Sequence, residues 1–124
     1  MNTTQLPFLV EEILILASMI LGFLLHRAGR PYGKVKLALH FFLFLWFTVG
    51  FAFILYGLFA LNVTMATWIP VALMCLMILT QLVTGVLMLA SKKAGKVLPR
   101  IHIISAILLV VSDICAFIIT GKPS

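Results

Sequence analysis

Four long apolar runs, at residues 6–25, 37–61, 67–90 and 101–120, take up most of this 124-residue chain. A helix needs about 20 apolar residues to cross a hydrocarbon core about 30 Å thick, and each run supplies them. A closed β-barrel is the other structure that satisfies its backbone in lipid. These runs are too long for barrel strands and do not alternate. The expectation is an all-α integral membrane four-helix bundle, one transmembrane domain over residues 1–124. Composition points the same way, with 64% hydrophobic and 10% charged residues, where soluble domains average about 45–50% and about 25%. A soluble globule is excluded, and catalysis in water, nucleic-acid binding and a disulfide-stapled secreted scaffold become poor readings. Glu11 and Glu12 stand where a signal peptide would carry bases, so the first run reads as a retained span. Cys75 and Cys115 fall inside apolar runs and read as free thiols behaving as small hydrophobes.

Charge sets the orientation. Arg27, Arg30, Lys34 and Lys36 lie between the first two runs, and Lys92, Lys93, Lys96 and Arg100 between the last two. They make eight of the nine basic residues, and only Lys122 lies at the opposite end. The positive-inside rule then puts both basic loops in the cytoplasm and both termini outside, in a plasma (inner) membrane. The net charge of +6 is accounted for by these loops and is not a nucleic-acid signal.

The two halves share a pattern. Residues 22–40, GFLLHRAGRPYGKVKLALH, and residues 85–102, GVLMLASKKAGKVLPRIH, each run from glycine through an apolar stretch and a basic turn to histidine. Later, FAFILYG at 51–57 echoes CAFIITG at 115–121 once one or two residues are inserted. Two readings stay open. One is a pair of repeated helical hairpins in parallel orientation; the other is the likeness that any two hairpins in one membrane share.

His40 and His102 each lie just inside the cytoplasmic end of a span. Ionisable groups there are costly and tend to face a bundle interior or cavity. In two equivalent hairpins such imidazoles suit the two axial positions of a b-type haem, with its carboxylates toward Lys34, Lys36, Lys96 and Arg100. Each ring would need an acceptor for its other nitrogen, a backbone carbonyl or water. Helical spacing carries the His40 face through Leu43, Phe44, Phe47 and Phe51, and the His102 face through Ser105, Ala106, Leu109 and Asp113. An aromatic stripe opposite a small-residue stripe would admit a flat macrocycle. The competing reading has phenylalanines facing lipid and small residues letting helices pack closely.

His26, at the end of the first span, reads first as a rim or quinone-site residue. It reads second as an axial ligand, or as the third imidazole of a zinc or copper site. Asp113 is the only acid of the fourth span, about 16 Å from His102 by helical rise. It is either a proton carrier or a residue bonded to Ser112, Thr80, Gln81 or Thr84. Glu11 and Glu12 read chiefly as interfacial acids near a helix N-terminus. Asn2-Thr3-Thr4 and Asn62-Val63-Thr64 match the glycosylation pattern but sit too near the membrane for it, and Trp68 suits an interfacial anchor.

The stretches KVKLALHFFLFLWFTVGFAFILYG and LPRIHIISAILLVVSDICAFIITG resemble the haem-binding helices of small membrane b-type cytochromes. The resemblance is to the cytochrome b561-like group, including compact four-helix cytochromes of flavinylated redox systems. There a helix opens with a basic residue, a histidine and a run of Gly, Ala and Leu, as Arg100, Ile101 and His102 do here. Many members carry a second histidine on the same helix, where this chain has Gly50 and Asp113. The resemblance therefore implies one bis-histidine haem b near the cytoplasmic face, and electron transfer between quinone and a redox partner. It implies other redox subunits or a second copy as partners, with the chain acting as the membrane subunit of an oxidoreductase complex. A proton-coupled transporter or channel subunit, or a structural subunit of a larger complex, are the alternatives. The topology is directly testable: single cysteines at Gly29 and Gly95 should react with an impermeant maleimide only from the cytoplasmic side.

Overall fold

The computed structural model describes residues 1–29, 32–91 and 95–122. Arg30, Lys92 and Lys93 of the basic turns, and Pro123, lie outside the described residues. Within them the chain is all-α, with helices α1 (Gln5–Ala28), α2 (Lys34–Leu61), α3 (Met65–Ala90) and α4 (Val97–Thr120). All four are long and apolar enough to cross a membrane. At 24 to 28 residues, a rise of 1.5 Å per residue makes each roughly 36–42 Å long, more than the hydrocarbon core requires. The chain is a multi-pass integral membrane protein.

The helices outrun the apolar runs at their basic ends. α2 begins at Lys34 and α4 at Val97, because a backbone entering lipid must bond to itself while lysine and arginine stems reach back to water. The exposed Lys34, Lys36, Lys96 and Arg100 are placed for this. Pro99 falls in the first turn of α4, where no N–H is needed. Pro70 does not: α3 starts at Met65, which puts the proline in the helix interior rather than its first turn. The Ala66 carbonyl therefore lacks its usual i+4 amide donor.

Local chemistry sets the ends. Asn2 and Gln5 bond reciprocally, Gln5 N–H to Asn2 Oδ1 at 2.9 Å and Asn2 N–H to Gln5 Oε1 at 3.1 Å, in the manner of a capping box. Asn62 ends α2 in the left-handed region at φ 51°, which short polar residues tolerate. Both asparagines flagged by the glycosylation pattern thus have a conformational role.

The helices pack as two hairpins, α1 with α2 and α3 with α4, within compact units Met1–Val63 and Thr64–Lys122. Their interiors match position by position. Buried Phe8, Glu11, Ile15 and Ser18 of α1 correspond, after a constant shift, to buried Val71, Met74, Ile78 and Gln81 of α3. Buried Phe44, Phe47 and Phe51 of α2 correspond likewise to Ala106, Leu109 and Asp113 of α4. In this register Phe51 matches Asp113, not the exposed Cys115 that the FAFILYG/CAFIITG echo would pair with it. Many other large apolar side chains, including Ile13, Phe23, Phe53, Val86 and Ile104, are exposed, as a lipid-facing surface requires.

Each hairpin brings a glycine of its first helix against the histidine of its second. A methyl group at Gly22 would lie 2.9 Å from His40 Cε1, whereas one at Gly85 would lie 3.5 Å from His102 Cε1. Gly22→Ala should therefore displace a hydrogen-bonded ring and cost about 1–3 kcal/mol, while Gly85→Ala makes an ordinary contact and should be near neutral. Unfolding of the two variants in mixed detergent, followed by helical signal, measures the contrast. Gly29 and Gly95 have φ of +76° and +59°, so a cysteine there is strained; Gly33, at an ordinary φ of −61°, and Lys96 carry the topology labels better.

Candidate functional site

The polar groups inside the hairpins gather at the two histidines. In the first hairpin His40 Nδ1 lies 2.7 Å from the Ser18 carbonyl oxygen. A carbonyl only accepts, so Nδ1 carries the hydrogen. Ser18 Oγ lies 3.1 Å from the same nitrogen and donates to the His40 carbonyl at 3.2 Å.

The second hairpin reaches the same result with other residues. His102 Nδ1 is 2.7 Å from Thr84 Oγ1. The Thr84 hydroxyl also reaches the Thr80 carbonyl at 2.6 Å and the Gln81 carbonyl at 3.3 Å; when it donates its one hydrogen to either, it accepts from the imidazole. In that arrangement Nδ1 is again the protonated nitrogen. Gln81 donates through Nε2 to the His102 carbonyl at 2.5 Å and to Ser105 Oγ. Ser18 and Gln81 stand four residues before Gly22 and Gly85, and each donates to the carbonyl of its hairpin's histidine. With Nδ1 protonated, the neutral ring of each histidine bears its lone pair on Nε2.

His40 meets the expected carbonyl acceptor; His102 uses a threonine hydroxyl instead of a carbonyl or water. Gln81 and Thr84, considered as partners of Asp113, are committed to His102, and Ser112 and Thr80 donate to their own helix at Leu108 O and Leu76 O. Asp113 is fully buried on the same helix as His102. Glu11 differs from expectation. It is 3% exposed, with its carboxyl against the Gly50 backbone, and is an interior residue rather than an interfacial one. Its place one to two turns inside the first span holds, since α1 begins at Gln5, but the acid lies on the buried stripe with Phe8 and Ile15.

Phe44 and Phe47 stack with centroids 5.9 Å apart, and Phe47 and Phe51 at 6.5 Å with rings 7° from parallel. Phe47 has no exposed surface, so the series fills protein interior instead of walling open space. His26 is exposed in the last turn of α1, and Lys36 and Arg100 are exposed one turn and half a turn before their histidines. Among the described residues no three His, Cys, Asp or Glu side chains group closely enough to hold a metal ion.

Sequence reasoning missed Ser18. Its signal was the position four residues before Gly22, matching Gln81 before Gly85. No protein-family model, curated protein or solved structure matches this chain.

The network makes unequal demands on its members. Thr84→Val should leave the His102 Nδ1–H without its acceptor and cost about 1–2 kcal/mol, whereas Ser18→Ala keeps the carbonyl acceptor and should cost about 0.6 kcal/mol or less. Unfolding midpoints of the two variants in the same detergent system check the order.

Proposed function

We propose that this protein is the membrane-integral b-type cytochrome subunit of a redox complex, exchanging electrons between a quinone pool and a partner through a haem b bound by His40 and His102. The observation that supports the reading is the matched state of the two imidazoles. Each has its Nδ1 held at 2.7 Å by an oxygen of its own hairpin, and with Nδ1 protonated Nε2 bears the lone pair. This is the arrangement found when a histidine ligates iron and its other nitrogen donates to a carbonyl or hydroxyl. When bound, the haem supplies the one-electron carrier. The chain supplies two neutral nitrogen ligands, an apolar surround that raises the cost of charge, and a cationic rim. Lys36 and Arg100 lie close enough to their histidines along each helix to meet the haem carboxylates, and the basic turns suit an acidic partner. In this reading the basic turns are cytoplasmic, the termini lie outside, and the membrane is the plasma membrane.

A second reading rests on a different observation, the burial of Glu11 and Asp113 inside spans. Embedded acids carry protons in pumps and transporters, and a proton-coupled transporter subunit would use one or both.

Purified protein from haem-replete cells should show a Soret band and a low-spin spectrum. His40→Ala and His102→Ala should each lower haem occupancy or convert the spectrum to high spin, and His26→Ala should leave it unchanged. Absence of a Soret band sinks the cytochrome reading and favours the transporter. Loss of the band in His26→Ala but not in His40→Ala keeps the haem and moves a ligand.

A further inference from the structure

The first hairpin holds a cavity of about 490 Å³, within the range of roughly 300–1,000 Å³ typical of small-molecule sites. It lies between the N-terminal half of α1 and the C-terminal half of α2, and its lining includes Pro7, Glu11, Trp46, Gly50, Phe53 and Gly57. On α2 these are spaced at 46, 50, 53 and 57, one helical face. Glycine at two of those positions creates the space. A methyl group at Gly57 would meet nothing within 4 Å, and one at Gly50 would run into the Glu11 carboxyl. The wall is apolar and aromatic except for that carboxyl and for Thr3 and Thr4. Glu11 is 97% buried, and its Oε2 has no hydrogen-bond partner. A buried polar atom without a partner is uncommon and calls for a reason.

We propose that this cavity binds the head group of a quinol dissolved in the bilayer, with Glu11 Oε2 accepting a hydrogen bond from the quinol hydroxyl. The inference rests on the quinone-exchanging reading above and names a site for the quinol. Three features select the ligand. The cavity sits on membrane-spanning helices, so its occupant arrives from lipid. Its glycine floor beside Trp46 and Phe53 suits a flat ring. Its buried carboxyl requires a donor, which an acyl chain lacks. A lipophilic cation would also meet the carboxyl, and the experiment separates the two.

In a Trp68→Phe background Trp46 is the only remaining tryptophan, so its emission reports on the cavity. The full chain in phosphatidylcholine nanodiscs is titrated with decyl-ubiquinol. Expected are saturable quenching, a loss of affinity of about 10- to 100-fold in Glu11→Leu, from the size of a hydrogen bond to a carboxylate, and a smaller loss in Glu11→Gln, which keeps an acceptor. Gly57→Phe fills the open space and should abolish saturation while leaving helical content and Glu11 intact, so the answer does not hang on whether a Glu11 variant folds. Quenching that rises linearly with quinol, or that is indifferent to Gly57→Phe, overturns the proposal. So does Glu11-dependent binding of tetraphenylphosphonium with no Glu11-dependent binding of quinol. Protein without a Soret band that still binds quinol through Glu11 keeps this site and removes the cytochrome. Protein with the band but no saturable response does the reverse.

Discussion

The backbone's need for hydrogen bonds inside lipid governs everything else in this molecule. An unsatisfied amide or carbonyl costs several kcal/mol there, so the chain becomes helical wherever it is apolar and stays helical past the apolar stretch, into Lys34 and Val97. The same rule reaches the side chains. Thr48, Thr80, Ser112 and Thr120 return their hydroxyl hydrogens to carbonyls one turn back. Ser18, Gln81 and Thr84 instead reach across to the histidine-bearing helix. These few bonds mark out the histidine level of each hairpin.

Much of the fold could be read from composition and charge, because span length and hydropathy are dictated by a bilayer of fixed thickness. The ends could not, since hydropathy ceases at the first lysine while the helix does not. The stripe Phe44, Phe47, Phe51 was legible from spacing, as was Ser105, Ala106, Leu109, Asp113; what the stripes face was not, because a helical period identifies a face without naming its neighbour. Glu11 shows the limit most clearly. Its sequence surroundings are those of an interfacial acid, and only the approach of Gly50 from α2, a contact between residues 39 apart in sequence, makes it an interior group.

Glycine does two kinds of work here. At Gly22 its lack of a side chain admits an imidazole, and at Gly50 a carboxyl. These are close approaches inside helices, where glycine weakens the local backbone by roughly 1 kcal/mol relative to alanine. Gly29 and Gly95 instead occupy positive φ in the basic turns.

The position-by-position match between the hairpins has one exchange in it. Glu11 on the first helix of one hairpin corresponds to Met74 in the other, and Asp113 on the second helix corresponds to Phe51. Each hairpin therefore keeps one acid in the layer beyond its histidine, but on opposite partners. The halves are therefore not interchangeable parts. A hybrid hairpin joining α1 to α4 would crowd two carboxyls into one dry layer, and one joining α3 to α2 would have none.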